Sequence, residues 1–439
     1  MFSRRGQLIV LSGVFFLTSG FAFINYYLVF LGIFLIFTSI IGLPFFKMST
    51  FIENVEVERK VDRSKVFAQD FFHVKILVRN KGNKRIDFLE VYDVFPETFI
   101  LAVGRNKIAT SLDPQSNIKF SYVLQPRLRG YYNIGPTKLV IHDRLRFNYD
   151  EKTIGEYTEL LVYPSYQDVR RMGTLARRRA LGIMFGIHRA KDKGVGTDFV
   201  GIRRYAPTDE IRWIDWKATA KTGKFMSREF ETERNIKIVI LLDTSGSMGA
   251  GEPENSKLEY SIRASVLLAH LGLERRDEVG LLTFSNRVWN YIEPKSGKTQ
   301  FYKILDTLAR VQSMGRSDPM RAVKHVLTHL KRTALFIMLT DLETTANFVN
   351  AIKIARSSKC ESLVISPVGP WFEIKMEELS PVEKALAEAI AEEFLSKRQK
   401  VARELRKMDV PVIDVGPDDY LPAVVTQYLK AKKRGIAVY

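Results

Sequence analysis

Between Gln7 and Phe46 the chain carries no charged residue, and almost every position is apolar. A helix built from such a run has no polar face to present to water. The run is too long for the apolar region of a signal peptide and lacks a small-residue cleavage site. Its length suits two closely joined membrane helices better than one, with a break at Ile24-Asn25-Tyr26. One helix is expected from about Leu8 to Phe23 and the other from about Tyr27 to Phe45. An asparagine beside two tyrosines suits the polar, aromatic boundary between bilayer and water. Arg4 and Arg5 precede the first helix, and Lys47, Arg59 and Lys60 follow the second. By the positive-inside rule both ends then face the cytoplasm. Residues 1–48 therefore read as a membrane anchor seated in a lipid bilayer.

At 439 residues the chain is too long for one ordinary core. Residues 51–165 show short β-like runs such as FFHVKILVRN, FLEVYDVFP, IKFSYVLQP and TELLVYP, separated by turn signals including Asp113-Pro114 and Gly135-Pro136. Strands at this spacing with no helical pattern between them predict an all-β, immunoglobulin-like sandwich. Residues 166–234 begin as a basic linker containing Arg177-Arg178-Arg179. From residue 235 strands alternate with helical patterns, which predicts a mostly parallel α/β sheet covered on both faces. Within it helices are expected at about Leu258–Glu274, Gln300–Leu308, Pro319–Lys331, Asn347–Ser357, Ser380–Met408 and Tyr420–Lys432. The lone cysteine, Cys360, excludes an internal disulfide and suits a reducing compartment. A net charge of +18 fits a protein held beneath an anionic leaflet, and nucleic acid is the weaker explanation.

The chemistry concentrates at ILLDTSGSMG, residues 240–249, where a strand buried on both faces ends in Asp243, Ser245 and Ser247. In open α/β sheets the carboxyl ends of strands are where ligands bind. A second apolar strand, LFIMLTD, ends in Asp341. Between them Gly315-Arg316-Ser317-Asp318 forms a loop just before a helix. Three loops at one sheet edge can converge oxygen donors, and hard oxygen donors select Mg²⁺, Mn²⁺ or Ca²⁺. Two carboxylates and several hydroxyls leave room in such a shell for an acidic residue from another protein.

This combination resembles the metal-ion-dependent adhesion site of a von Willebrand factor A domain. The resemblance implies a metal held by Asp243, Ser245, Ser247, Ser317 and Asp341. Ser317 stands where that family usually has threonine, and Asp318 competes with it in the same loop. Residues 196–234, with GIRRYAPTDEIRWIDW at their centre, resemble the hallmark of domain-of-unknown-function family 58. In that family two membrane helices, a β-rich segment and a von Willebrand A-like (Rossmann-type) domain occur together, and a MoxR-type AAA+ ATPase is the implied partner. Thr208 precedes Asp209 where the family commonly has glycine.

The same block packs aromatic and charged residues closely. Arg204, Tyr205, Asp209, Arg212 and Trp216 are candidates for a partner surface. The bland alternative is a latch whose acids and bases pair with one another, and a nucleic-acid surface is a third reading. No Walker loop is present, so ATP hydrolysis by this chain is not expected. Asp243 as an aspartyl nucleophile of a Mg²⁺-dependent phosphatase or phosphotransferase remains a rival, although Ser245 stands where such enzymes usually have a second Asp. His325 and His329 lack the glutamate of a metalloprotease helix. The expected protein is a membrane-anchored, non-enzymatic adaptor that grips an acidic side chain through a metal.

Overall fold

The computed structural model describes residues 2–49, 52–166, 198–207, 209–231, 235–330, 333–342, 345–367, 396 and 398–433. They fall into two compact units, Met1–Ser165 and Tyr166–Tyr439.

The first unit opens with a helical hairpin. Helix α1 (Arg4–Ala22) is capped by Ser3, whose hydroxyl accepts from the Gly6 amide at 3.2 Å. Helix α2 (Tyr26–Ser49) follows a tight break at which Ile24 takes a left-handed φ of 54°. The Asn25 side chain accepts from the amides of Tyr27 and Leu28 and so caps α2. The break lies where the sequence placed it, but both helices run further than the apolar pattern. The Ser3 cap starts α1 before its arginines, and α2 continues through Pro44. By length and composition α1 can cross a membrane, and the apolar stretch Tyr26–Gly42 lies beside it. The two backbones touch through glycine. A Cβ on Gly32 would sit 2.6 Å from the Leu17 nitrogen, and one on Gly20 would sit 2.6 Å from the Val29 nitrogen. Phe15, Phe21, Phe30 and Phe37 point outward and are exposed.

The β-region has eleven strands among the described residues: β1 (Val55–Val61), β2 (Lys65–Phe67), β3 (Phe72–Asn80), β4 (Ile86–Asp93), β5 (Phe99–Gly104), β6 (Lys107–Leu112), β7 (Asn117–Pro126), β8 (Gly130–Ile134), β9 (Thr137–His142), β10 (Tyr149–Ile154) and β11 (Thr158–Tyr163). Two antiparallel four-stranded sheets, β1-β3-β7-β5 and β10-β9-β4-β6, are joined by a smaller sheet, β2-β11-β8. Strict alternation in β3 turns Phe72, Val74, Ile76 and Val78 inward, where they meet Leu89, Val91, Leu139 and Ile141 from the other large sheet. This is the immunoglobulin-like sandwich the sequence predicts. The strands it did not single out are short or half-exposed.

Arg59 is a correction. It does not serve as an interfacial charge after the second helix, because its side chain is 4% exposed and pairs with Asp93 inside the sandwich. Its guanidinium also donates to the carbonyls of Ile134 and Glu156 and to the Thr137 hydroxyl, and the Tyr122 hydroxyl donates to Asp93. A buried ion pair is tolerated only when its remaining donors and acceptors are satisfied in this way.

The second unit begins with an antiparallel pair, β12 (Asp198–Arg204) and β13 (Met226–Glu231), with α3 (Trp216–Thr222) between them. Neither strand was expected. Next come β14 (Lys237–Asp243), α4 (Lys257–Glu274), β15 (Glu278–Phe284), β16 (Val288–Lys295), α5 (Lys298–Arg310), α6 (Pro319–His329), β17 (Leu335–Leu339), α7 (Thr345–Ser357), β18 (Glu361–Pro367), α8 (398–407), β19 (Val412–Val415) and α9 (Pro417–Lys433). The six-stranded sheet seen among the described residues runs β16-β15-β14-β17-β18-β19, parallel throughout except for β16 at its edge. The sequence reading missed β16, whose Pro294 is tolerated because the strand is an edge. The linker around Arg177–Arg179 and most of the helix expected from Ser380 lie outside the described residues.

Candidate metal centre at the sheet switch point

Strand order reverses between β14 and β17, which opens a crevice beyond their carboxyl ends. Every residue of β14 after Lys237 is buried, so its apolar run is fixed by the sheet's interior and Asp243 is delivered to the rim. The side chain of Asp243 is fully buried. Oδ1 accepts from the Ser245 amide at 2.9 Å. Oδ2 accepts from Ser317 Oγ at 2.6 Å and from Thr340 Oγ1 at 2.7 Å. The hydroxyls of Ser245 and Ser247 lie 3.1 Å apart on the turn that follows.

Backbone bonds stitch the loop before α6 to this turn. Gly246 N donates to Gly315 O at 2.9 Å and Met314 N donates to Thr244 O at 2.8 Å. Gly315 takes a left-handed φ of 73°, which redirects the chain so that Ser317 reaches Asp243. Asp318, the competing candidate, is engaged elsewhere. Its carboxylate caps α6 by accepting from Arg321 N at 3.2 Å, and its amide donates to Ser285 O.

Asp341, just past the end of β17, is 3% exposed. Burial first, and the charge of Asp341 second, raise the Asp243 pKa to about 6, while the donors from Ser317, Thr340 and Ser245 pull it down. Lys257 Nζ lies 3.9 Å from Asp341 Oδ2, and both side chains are buried. The structure thus gathers Asp243, Ser245, Ser247, Ser317 and Asp341 at one rim. It adds Thr340 and Lys257, which the sequence reading did not assign. The LTD tripeptide held the signal for Thr340, since the strand ends before it and the alternation of facing need not continue.

The donor set fits a hard divalent cation. All its ligating atoms are oxygen. Two buried carboxylates that repel one another gain from a shared positive charge. The hydroxyls that donate to Asp243 keep lone pairs for a cation. Asp243, Ser245, Ser247, Ser317 and Asp341 would hold it, and it would supply a positive anchor for a carboxylate.

The upstream block is largely self-paired. Arg203 makes a two-pronged pair with Asp209 at 2.6 Å for each prong, and the Tyr205 hydroxyl donates to Asp209 O. Arg212 pairs with Glu210, and Asp215 caps α3 while accepting from Arg228. Arg204 and Arg212 are exposed, and Trp216 is 62% exposed. Of the five candidates here, Asp209 is buried and committed internally.

A parallel sheet with this strand order, an antiparallel edge and an Asp-x-Ser-x-Ser turn at its switch point defines a von Willebrand A-like domain, which here follows an apolar helical hairpin and a β-sandwich. Residues 201–367 match the family described as Protein of unknown function DUF58. An uncharacterised protein of Mycobacterium bovis is 20% identical over 285 residues, spanning 61% of this chain and 89% of that protein. Among solved structures, an aerotolerance-related membrane protein from Bacteroides fragilis is 21% identical, covering 45% of this chain and 99% of its own, with a TM-score of 0.31. The SpRpn10 VWA domain is 12% identical, covering 44% of this chain and 95% of its own, with a TM-score of 0.29. The fold assignment rests on strand order and not on these likenesses.

Proposed function

We propose that the protein is a membrane-anchored, non-enzymatic adaptor. Its hairpin crosses the bilayer twice, the remaining domains face the cytoplasm, and a divalent cation at Asp243, Ser245, Ser247, Ser317 and Asp341 receives an acidic side chain of a partner. By resemblance to family 58, that partner is a MoxR-type AAA+ ATPase or its client complex. The observation that carries the reading is the meeting of two buried carboxylates and four hydroxyls at one sheet rim.

The same geometry weighs against Asp243 as a nucleophile. The Ser245 amide and two hydroxyls already hold its carboxylate, and the residue two positions on is Ser245, not a second acid able to move a proton. The pairing of Arg203, Arg212 and Arg228 with neighbouring acids weighs against a phosphate-binding surface in the upstream block.

The test is capture of a MoxR-type ATPase on the immobilised, detergent-solubilised full chain. Wild type in Mg²⁺ should retain it. Chelation with EDTA, or Asp243→Ala in Mg²⁺, should cut retention at least about tenfold, the scale of one lost charge-assisted contact. Equal retention under all three conditions would overturn the reading.

A further inference from the structure

The first turn of α4 holds a residue that two physical effects oppose. Lys257 follows the capping residue Ser256, at the helix end where the backbone dipole repels a cation. Its side chain is also only 7% exposed, and burying an ammonium is unfavourable unless a counter-charge meets it. The counter-charge is Asp341, whose Oδ2 lies 3.9 Å from Nζ. Backbone bonds hold the lysine there. Its amide donates to Ala250 O at 3.1 Å, just past the Ser245–Ser247 turn, and its carbonyl accepts from Ser261 Oγ at 2.9 Å. The other cation nearby, Arg398, also feels Asp341, but it is bonded directly to Asp414 at 3.0 Å and to Ser366. Arg398 is thus met by Asp414, whereas the buried Lys257 ammonium lies against Asp341.

We propose that Lys257 is a fixed positive charge of the metal centre, which weakens its hold on the cation and makes the loaded centre selective for an anionic partner. The inference rests on the adaptor reading above and adds to it the control of affinity at that site. The charges decide the direction. The Lys257 ammonium, 3.9 Å from an Asp341 oxygen, raises the electrostatic potential at the rim where a cation would sit. An acidic side chain arriving at the loaded centre is drawn by that added charge. The same charge repels the incoming metal and screens the carboxylate pair while no metal is bound.

The test uses the full-length protein in detergent, with Mn²⁺ alone as the probe and free Mn²⁺ read by electron paramagnetic resonance. Each variant is also melted in EDTA and in saturating Mn²⁺. Lys257→Met should bind Mn²⁺ about tenfold more tightly, or more, because the like charge 3.9 Å from an Asp341 oxygen has gone. It should also melt lower than wild type in EDTA and gain more from Mn²⁺. Lys257→Arg, which keeps the charge, should behave as wild type. If the methionine variant aggregates, Lys257→Gln should give the same tightening. Binding that Asp243→Ala abolishes but Lys257→Met leaves unchanged or weakens would overturn the lysine's role alone, with the metal centre intact. No binding by any form would overturn both. A lysine with a purely structural role would lower the melting point equally with and without Mn²⁺.

Discussion

Asp243 is the residue at which the site's electrostatics are most exposed to test. Its pKa moves from 3.8 to about 6 on folding, chiefly through burial and then through the charge of Asp341. A carboxyl raised in the folded state contributes stability that is fully present below pH 3.8 and is lost as pH climbs towards 6. From such a shift the contribution is of order 3 kcal/mol. In EDTA, wild type should therefore gain stability between pH 7.5 and pH 5 relative to Asp243→Asn, whose amide keeps the shape and has no proton to gain. Thermal melts of both proteins at several pH values check this, and parallel curves would contradict it. At this scale the sequence was legible wherever chemistry follows a strand end. Asp243, Ser245, Ser247 and Asp341 stand at the rim where their strand ends place them, and Ser317, which only the resemblance singled out over Asp318, donates to Asp243. Thr340 escaped because its neighbour Asp341 drew the assignment. Lys257 escaped because a lysine on a helix ordinarily reads as a solvated charge.

Among elements, the hairpin shows what an apolar pattern conveys and what it omits. The uncharged run located two helices and the break between them. It did not reveal that Gly13, Gly20 and Gly32 set how closely they approach, since that depends on which helix faces meet. Gly32→Leu would place a Cβ 2.6 Å from the Leu17 nitrogen and 2.7 Å from the Gly13 carbonyl oxygen, a backbone clash that no rotamer relieves. The substitution should loosen the hairpin by about 1–3 kcal/mol, the usual range for overpacking. It should appear as faster protease cleavage within residues 1–49 of the detergent-purified protein. Phe34→Leu, at a position 54% exposed, serves as the control and should cleave at the wild-type rate. The short strands were missed for a related reason. β5 and β6 alternate weakly because much of their surface is exposed, and β16 hides its strand character behind a proline that only an edge tolerates.

At the scale of the whole molecule, the sandwich and the A-like domain each close around a core of their own. One is built on Phe72, Val74, Leu89 and Leu139, the other on Val239, Leu241, Phe336 and Met338. Separate cores make separately cooperative units the natural expectation. The sandwich additionally relies on the Arg59–Asp93 pair, which no pattern of alternation could announce because charged residues are ordinarily at the surface. Asp93→Ala would strand a guanidinium whose side chain is 4% exposed. Breaking a buried pair by removing one partner costs about 3–5 kcal/mol, because the remaining charge stays desolvated. The expected outcome is accelerated hydrogen exchange at the amides of β3 and β7, with the amides of β14 and β17 protected as in wild type and Mn²⁺ affinity retained. Equal loss of protection in both sets of strands would show that the two cores unfold as one.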